Sequence, residues 1–273
     1  MKALIRMTGQ IKILTLLQRQ YDSYRLRRYL RGRKIFCLAP YSVQIYEGLL
    51  KEVKGLSERI AILDGSDPMK ITPDKVNLFV RHDLDTKSCI EKMSLLLDID
   101  QKLNIPASVY LRADGVEYSL SSYRTAILNY RGQGFRFGLH SLCYLKDHYL
   151  EEFGKETETF EEALGFHPTG FNVHGMGTVR LQNRMNFLKE ITPNFRDFGY
   201  DSGDIPTLLD YWYVIQDCHL DGKNQRFIYD DFYSFPEVLA QGQNGLILTH
   251  PCYWEAGAWR GETSRPGYSI WVG

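Results

Sequence analysis

Cysteine is sparse in this sequence: five residues, Cys37, Cys89, Cys143, Cys218 and Cys252. They are odd in number, scattered, and never spaced as C-x-x-C. This excludes a disulfide framework and argues against a structural zinc site built on thiolates. Net charge is missing too, since 33 Lys and Arg balance 33 Asp and Glu. A neutral chain is a poor general nucleic-acid binder. Neither G-x-G-x-x-G nor G-x-x-x-x-G-K-[ST] occurs, so the usual glycine-rich phosphate cradles are absent. The apolar stretch Ile11–Leu17 is too short to cross a bilayer, and no small-residue cleavage site follows it. Internal repeats and low-complexity segments are also lacking. A cytoplasmic protein is expected.

What charge there is lies unevenly. Met1 to Lys34 holds ten Lys or Arg and one acidic residue, Asp22. This segment reads as a basic helix, able to make peripheral contact with an anionic membrane face. Residues 1–70 are expected to form an N-terminal helical extension packing on a main domain at 71–273.

The expected elements alternate. Tyr41–Gly55 has helical spacing, Arg59–Leu63 reads as a short strand, and Asp64–Lys75 is rich in turn formers. Strands are then expected at Val76–Arg81, Ala107–Leu111, Phe135–Leu139, Gly170–Val173, Phe195–Gly199, Tyr211–Gln216 and Leu246–Thr249. Helices are expected at Lys87–Leu103, Ser121–Gly132, Leu145–Leu164, Val179–Glu190 and about Phe232–Gln241. Such alternation predicts an α/β fold with a mostly parallel sheet, and about seven strands without a nucleotide loop suggest a distorted (β/α) barrel.

The chemistry-bearing residues fall at the C-terminal ends of these strands. "RHDLD" (Arg81–Asp85) follows the first, "HSLCY" (His140–Tyr144) the third and "HGMG" (His174–Gly177) the fourth. "DSGD" (Asp201–Asp204) follows the fifth and "HPCYWE" (His250–Glu255) the last. In a barrel these ends converge on one mouth. Asp83 and Asp85 share one face of the strand end, because side chains alternate with period two; a cation would relieve their repulsion. Carboxylate and imidazole ligands suit a divalent transition metal, and a catalytic zinc takes about three of them. His82 alternates to the other face and is expected to be packed or hydrogen-bonded. His148, His167 and His219 are expected at the surface or in loops. A thiol nucleophile at Cys143 or Cys252 beside a histidine is a weaker alternative. The aromatics of "CYWEAGAW" (Cys252–Trp259), with Tyr144 and Trp212, would suit the apolar faces of sugar rings.

In order, and over about Val76 to Trp254, these motifs resemble the polysaccharide deacetylases of the NodB-type carbohydrate deacetylase superfamily. The resemblance implies a metal-dependent hydrolase that deacetylates N-acetylated sugars, free or lipid-linked, in cell-surface polysaccharide synthesis. It implies Asp83 as base, Asp85 and His140 as metal ligands, and His250 as acid. The second motif ends in Tyr144 where that family has a histidine, and the third reads Asn172-Val173-His174, without its Arg and Pro. His174 is therefore expected to replace the missing ligand, as in a divergent branch with R-H-D-x-D, a single-histidine second motif and an H-G third motif. Arg112, Tyr144, Gly175, Asp201, Asp204 and Trp254 are expected to bind substrate or support the site, with a backbone N–H near Gly175 facing the oxyanion. Zinc is the expected metal, with cobalt, nickel or manganese as options. A metal-free glycan-binding barrel, or a hydrolase of another amide or ester, are the alternatives.

Overall fold

The computed structural model describes residues 35–36, 41–63, 72, 74–175, 179–203, 213–216, 228–229, 245–255 and 269–270. The chain divides into two compact units. One comprises Met1–Leu38 with Gly261–Gly273; its described part is an antiparallel pairing of β1 (Ile35–Phe36) with β12 (Ser269–Ile270). The other, Ala39–Arg260, carries everything below. Of the expected 1–70 extension, residues 1–34 lie outside the described residues. Within 41–63, helix α1 (Val43–Gly55) and strand β3 (Ile60–Leu63) belong to the larger unit.

A parallel sheet forms the centre of this unit. Its path is β7 (Phe171–Val173), β6 (Arg136–Ser141), β5 (Ala107–Leu111), β4 (Val76–Leu84), β10 (Gly245–Thr249), β8 (Tyr213–Gln216) and β9 (Ile228–Tyr229). β3 lies along the first half of β4, and β5 takes over along the second half, from Val80 to Leu84. β4 is buried at every residue except Arg81, which is partly buried. Covering both faces is what demands a near-continuous apolar run. Parallel neighbours need crossovers, and these carry α2 (Lys87–Glu91), α3 (Ser94–Leu103), α4 (Arg124–Gly132), α5 (Tyr149–Leu164) and α6 (Leu181–Ile191). A small parallel pair, β2 (Tyr41–Ser42) with β11 (Trp254–Glu255), sits beside the sheet's elements in sequence.

The structure confirms the α/β alternation, adds the short strand β9, and departs from two of the expected elements. The expected Lys87–Leu103 helix is two helices, with Lys92 and Met93 between them. The expected strand Phe195–Gly199 is not a strand. Thr192–Phe198 continues α6 as a 3-10 turn with Pro193 at its start, and Gly199 ends it at φ 79°, a left-handed value that glycine adopts without strain. The sheet edge resumes only at Ser202, which makes a single parallel bridge to Gly170. Among the described residues no pairing closes Ser202 on β9. The expected helix near Phe232–Gln241 lies outside the described residues. Among those described, no helix is long and apolar enough to cross a membrane.

Packing inside the sheet is tight where it supports the site. A Cβ on Gly138 would come within 2.6 Å of both the Gly170 carbonyl and the Tyr110 ring. Glycine there lets Tyr110 lie across β6, and the Arg81 guanidinium sits 5.6 Å from that ring's centre. The opposite face of β4 carries a buried polar network. His82 Nε2 meets Asp100 Oδ2 at 2.7 Å, His82 Nδ1 meets Thr249 Oγ1 at 2.6 Å, and the Tyr46 hydroxyl donates to Asp100 at 2.7 Å. His82 is thus hydrogen-bonded, as its place on the strand predicts.

Candidate metal centre

Three side chains converge at the C-terminal edge of the sheet. Asp85 follows β4, where Thr86 caps α2 with its hydroxyl. His140 lies near the end of β6, and His174 directly follows β7. The register pairs His140 with Asn172, so His174 stands two residues further on, its ring edge-on to that of His140 at 4.9 Å. Asp85 Oδ1 is 2.9 Å from His140 Nε2 and 3.3 Å from His174 Nδ1, and the two nitrogens are 2.9 Å apart. Among the described residues this trio is the group able to hold a metal ion.

The donors fit such an ion. Ligands placed tetrahedrally at zinc distances lie roughly 3.3 Å apart, close to the three separations here. Asp85 Oδ1 is buried without a hydrogen bond, although two ring nitrogens lie within 3.3 Å. An orphaned buried carboxylate oxygen between two imidazoles is what a cation would satisfy. Burial acts to raise the Asp85 carboxyl, but the His140, His174 and His250 imidazoles outweigh it and hold the group well below the usual carboxylate range. For His140, burial acts downward, and the Asp83 and Asp85 carboxylates overcome it and raise the imidazole.

Asp83 and His250 flank the trio. Asp83 Oδ2 lies 4.0 Å from His140 Nε2, and His250 Nε2 lies 3.4 Å from Asp85 Oδ2. The expected repulsion between the two aspartates is relieved on the Asp83 side by a protein cation. Arg81 donates from Nε to Oδ1 at 2.8 Å and from Nη2 to Oδ2 at 2.7 Å. Burial would raise the Asp83 carboxyl; Arg81 first, then His140 and His250, pull it below its ordinary value. The Arg81 role is legible in "RHDLD" only as an i,i+2 spacing on one strand face.

Supporting residues hold the loops. Arg112 donates from Nη1 to the Asp85 carbonyl at 3.1 Å and pairs with Asp114, which makes it a support of the Asp85 loop. The Tyr144 hydroxyl donates to the His174 carbonyl at 2.9 Å. Glu156 on α5, not singled out by sequence, accepts from the Ser141 hydroxyl at 2.5 Å and the Leu142 N–H at 3.2 Å. It thereby clamps the turn after His140. Burial, its largest influence, pushes the Glu156 carboxyl up to about 7 from 4.5. With the folded value raised, the unfolded chain loses this proton first as pH rises. The group's stabilising contribution is full below pH 4.5 and is lost as pH climbs through about 7. Glu156→Gln is expected to remove that dependence. Denaturant titrations from pH 4.5 to 8 should show the variant gaining on the parent by up to about 3 kcal/mol; parallel pH profiles would refute the assignment.

Several expected site residues lie elsewhere. Asp201 is exposed and paired with Arg136, at the start of β6 and so at the other end of the strand from His140. The cause is the missing fifth strand: Ser202 bridges Gly170, before β7 begins, so Asp201 stays low on the sheet. Trp254 and Tyr144 are fully buried, and Trp254 packs edge-on against Tyr46 at 5.5 Å. Neither offers a ring to a sugar. Tyr253, 37% exposed and edge-on to His250 at 5.9 Å, is an accessible aromatic beside the cluster. Gly175 is exposed at the end of the described segment that carries His174. Asp204, Trp212 and His219 fall outside the described residues. His148 is exposed, and His167 pairs with Glu161. Cys143 is buried, and that burial raises its thiol, which removes it as a nucleophile.

No protein-family model matches the chain, and no curated protein matches it. Among solved structures, it is similar to the catalytic domain of a peptidoglycan N-acetylglucosamine deacetylase from Eubacterium rectale. Identity is 14%, over 70% of this chain and 81% of that one, with a TM-score of 0.44. It is also similar to a mutant of the peptidoglycan deacetylase PdaC from Bacillus subtilis. There identity is 16%, over 67% and 78% of the two chains, with a TM-score of 0.40.

Proposed function

We propose that this protein is a metal-dependent hydrolase that removes acetyl groups from N-acetylated sugars. The observation that carries the reading is the convergence of Asp85, His140 and His174 from three separate strand ends, with Asp83 and His250 at its margin. The sugar substrate rests on the motif resemblance. Asp85, His140 and His174 would hold the ion, zinc being the best match to one carboxylate and two imidazoles. A divalent ion supplies Lewis acidity to an amide carbonyl and makes water acidic enough to attack near neutral pH. Asp83 is kept ionised by Arg81 and so is able to accept a proton across neutral pH. His250 Nε2 lies 3.4 Å from Asp85 Oδ2 and would give a proton to the departing nitrogen.

Elemental analysis of the purified protein should find about one metal ion per chain. Asp83→Asn should still load the ion when it is supplied in excess, and should lose turnover on N-acetylated sugars. Full activity in that variant would remove Asp83 as base, and metal-free parent protein would remove the metal reading. A second reading, a hydrolase of another amide or ester, is favoured by the burial of Trp254 and Tyr144, which removes the stacking surface expected for sugar rings. Screening N-acetylated sugars against acyl esters separates the two.

A further inference from the structure

Asn172 lies on β7 and is 1% exposed. Its side chain touches both Asp83 and His140. The amide contacts Asp83 through Nδ2, which donates to Oδ1 at 2.9 Å. That orientation is dictated. Both Asp83 oxygens already accept from Arg81, so the carboxylate is ionised and can only accept. A flipped amide would press its oxygen against that carboxylate. With Nδ2 committed to Asp83, Oδ1 faces His140 Nδ1. An amide oxygen has no proton to give, so His140 Nδ1 must carry one. A neutral imidazole protonated on Nδ1 has its lone pair on Nε2. His140 Nε2 is the atom that lies 2.9 Å from both Asp85 Oδ1 and His174 Nδ1.

We propose that Asn172 is a positioning residue that locks His140 in the tautomer whose Nε2 lone pair faces the cluster. Arg81 and Asp83 act behind it by setting the direction of the amide. Four residues thus form one relay, from the guanidinium through the carboxylate and the amide to Nδ1 of the His140 ring. Without the relay, His140 is free to place an N–H on the cluster, where it repels a cation. Sequence reading treats position 172 only as the place where an arginine is missing, and gives it no task.

The inference rests on the metal reading of the same site, and its test separates the two. Zinc affinity of the full chain is measured by competition with a chromophoric chelator. Asn172→Leu keeps the side chain's volume and loses the acceptor; it should bind zinc about 10- to 100-fold more weakly than the parent. Asn172→Ala should behave alike, and it carries the test if the leucine variant does not fold. Imidazole nitrogen chemical shifts should show His140 protonated on Nδ1 in the parent and on a mixture of both ring nitrogens in the leucine and alanine variants. A residue that merely packs would leave that tautomer unchanged in both variants. If the parent binds zinc and the leucine or alanine variant binds it equally well, the relay is overturned and the metal centre stands. If the parent binds no zinc, both fall.

Discussion

Asp85→Ala is expected to abolish metal binding and lower turnover by on the order of 10³-fold or more, while the fold survives. The size follows from chemistry. Two imidazoles without the carboxylate are one ligand short of a catalytic site, and Lewis-acid stabilisation is worth several kcal/mol, each 1.36 kcal/mol being about tenfold in rate. Survival of the fold follows from what alanine retains. Arg112 bonds to the Asp85 backbone carbonyl, and the α2 cap comes from Thr86, so neither contact needs the carboxylate. Asp85 Oδ1 itself makes no hydrogen bond. Metal content, turnover and circular dichroism on one preparation check the prediction. Metal retained in the folded variant would reverse the assignment.

The second large effect is on stability. Arg81→Met should cost about 3–5 kcal/mol, because it leaves Asp83 buried with Asn172 as its remaining hydrogen-bond donor. In a domain of this size that is roughly 10 °C in Tm. Most of the cost is an uncompensated buried charge, not lost packing. Adding Asp83→Asn to the same chain should therefore recover part of the loss, since a neutral amide has no charge to strand. A single variant within about 1 kcal/mol of the parent, or a double variant less stable than the single, would show that the pair does not carry this burden.

Much of the fold was legible because its strands are buried on both faces. "VNLFV" and "GLILT" are apolar runs that only a covered parallel sheet accommodates, and both are strands. "FRDFGY" misled for a definite reason. Phe195, Phe198 and Tyr200 suit a turn of helix as well as a strand, and the preceding α6 simply continued into them. The loss of that strand also removed Asp201 from the site. Tyr144 and Trp254 look like exposed aromatics beside polar residues, yet the core takes them.

The sequence by itself determined the kind of chemistry: carboxylates and imidazoles, without clustered thiols, placed after apolar strands. The motif resemblance also implied His174 as the replacement for the imidazole absent at Tyr144. Tertiary structure decided which of these groups meet and what holds them. Arg81 reaches Asp83 along one strand, but Asn172 reaches Asp83 across 89 positions and His140 across 32. Contacts of that separation depend on strand register. The pairing of His140 with Asn172 puts the amide beside His140 and brings His174 edge-on to it, and a slip of one residue would turn every one of these side chains to the opposite face.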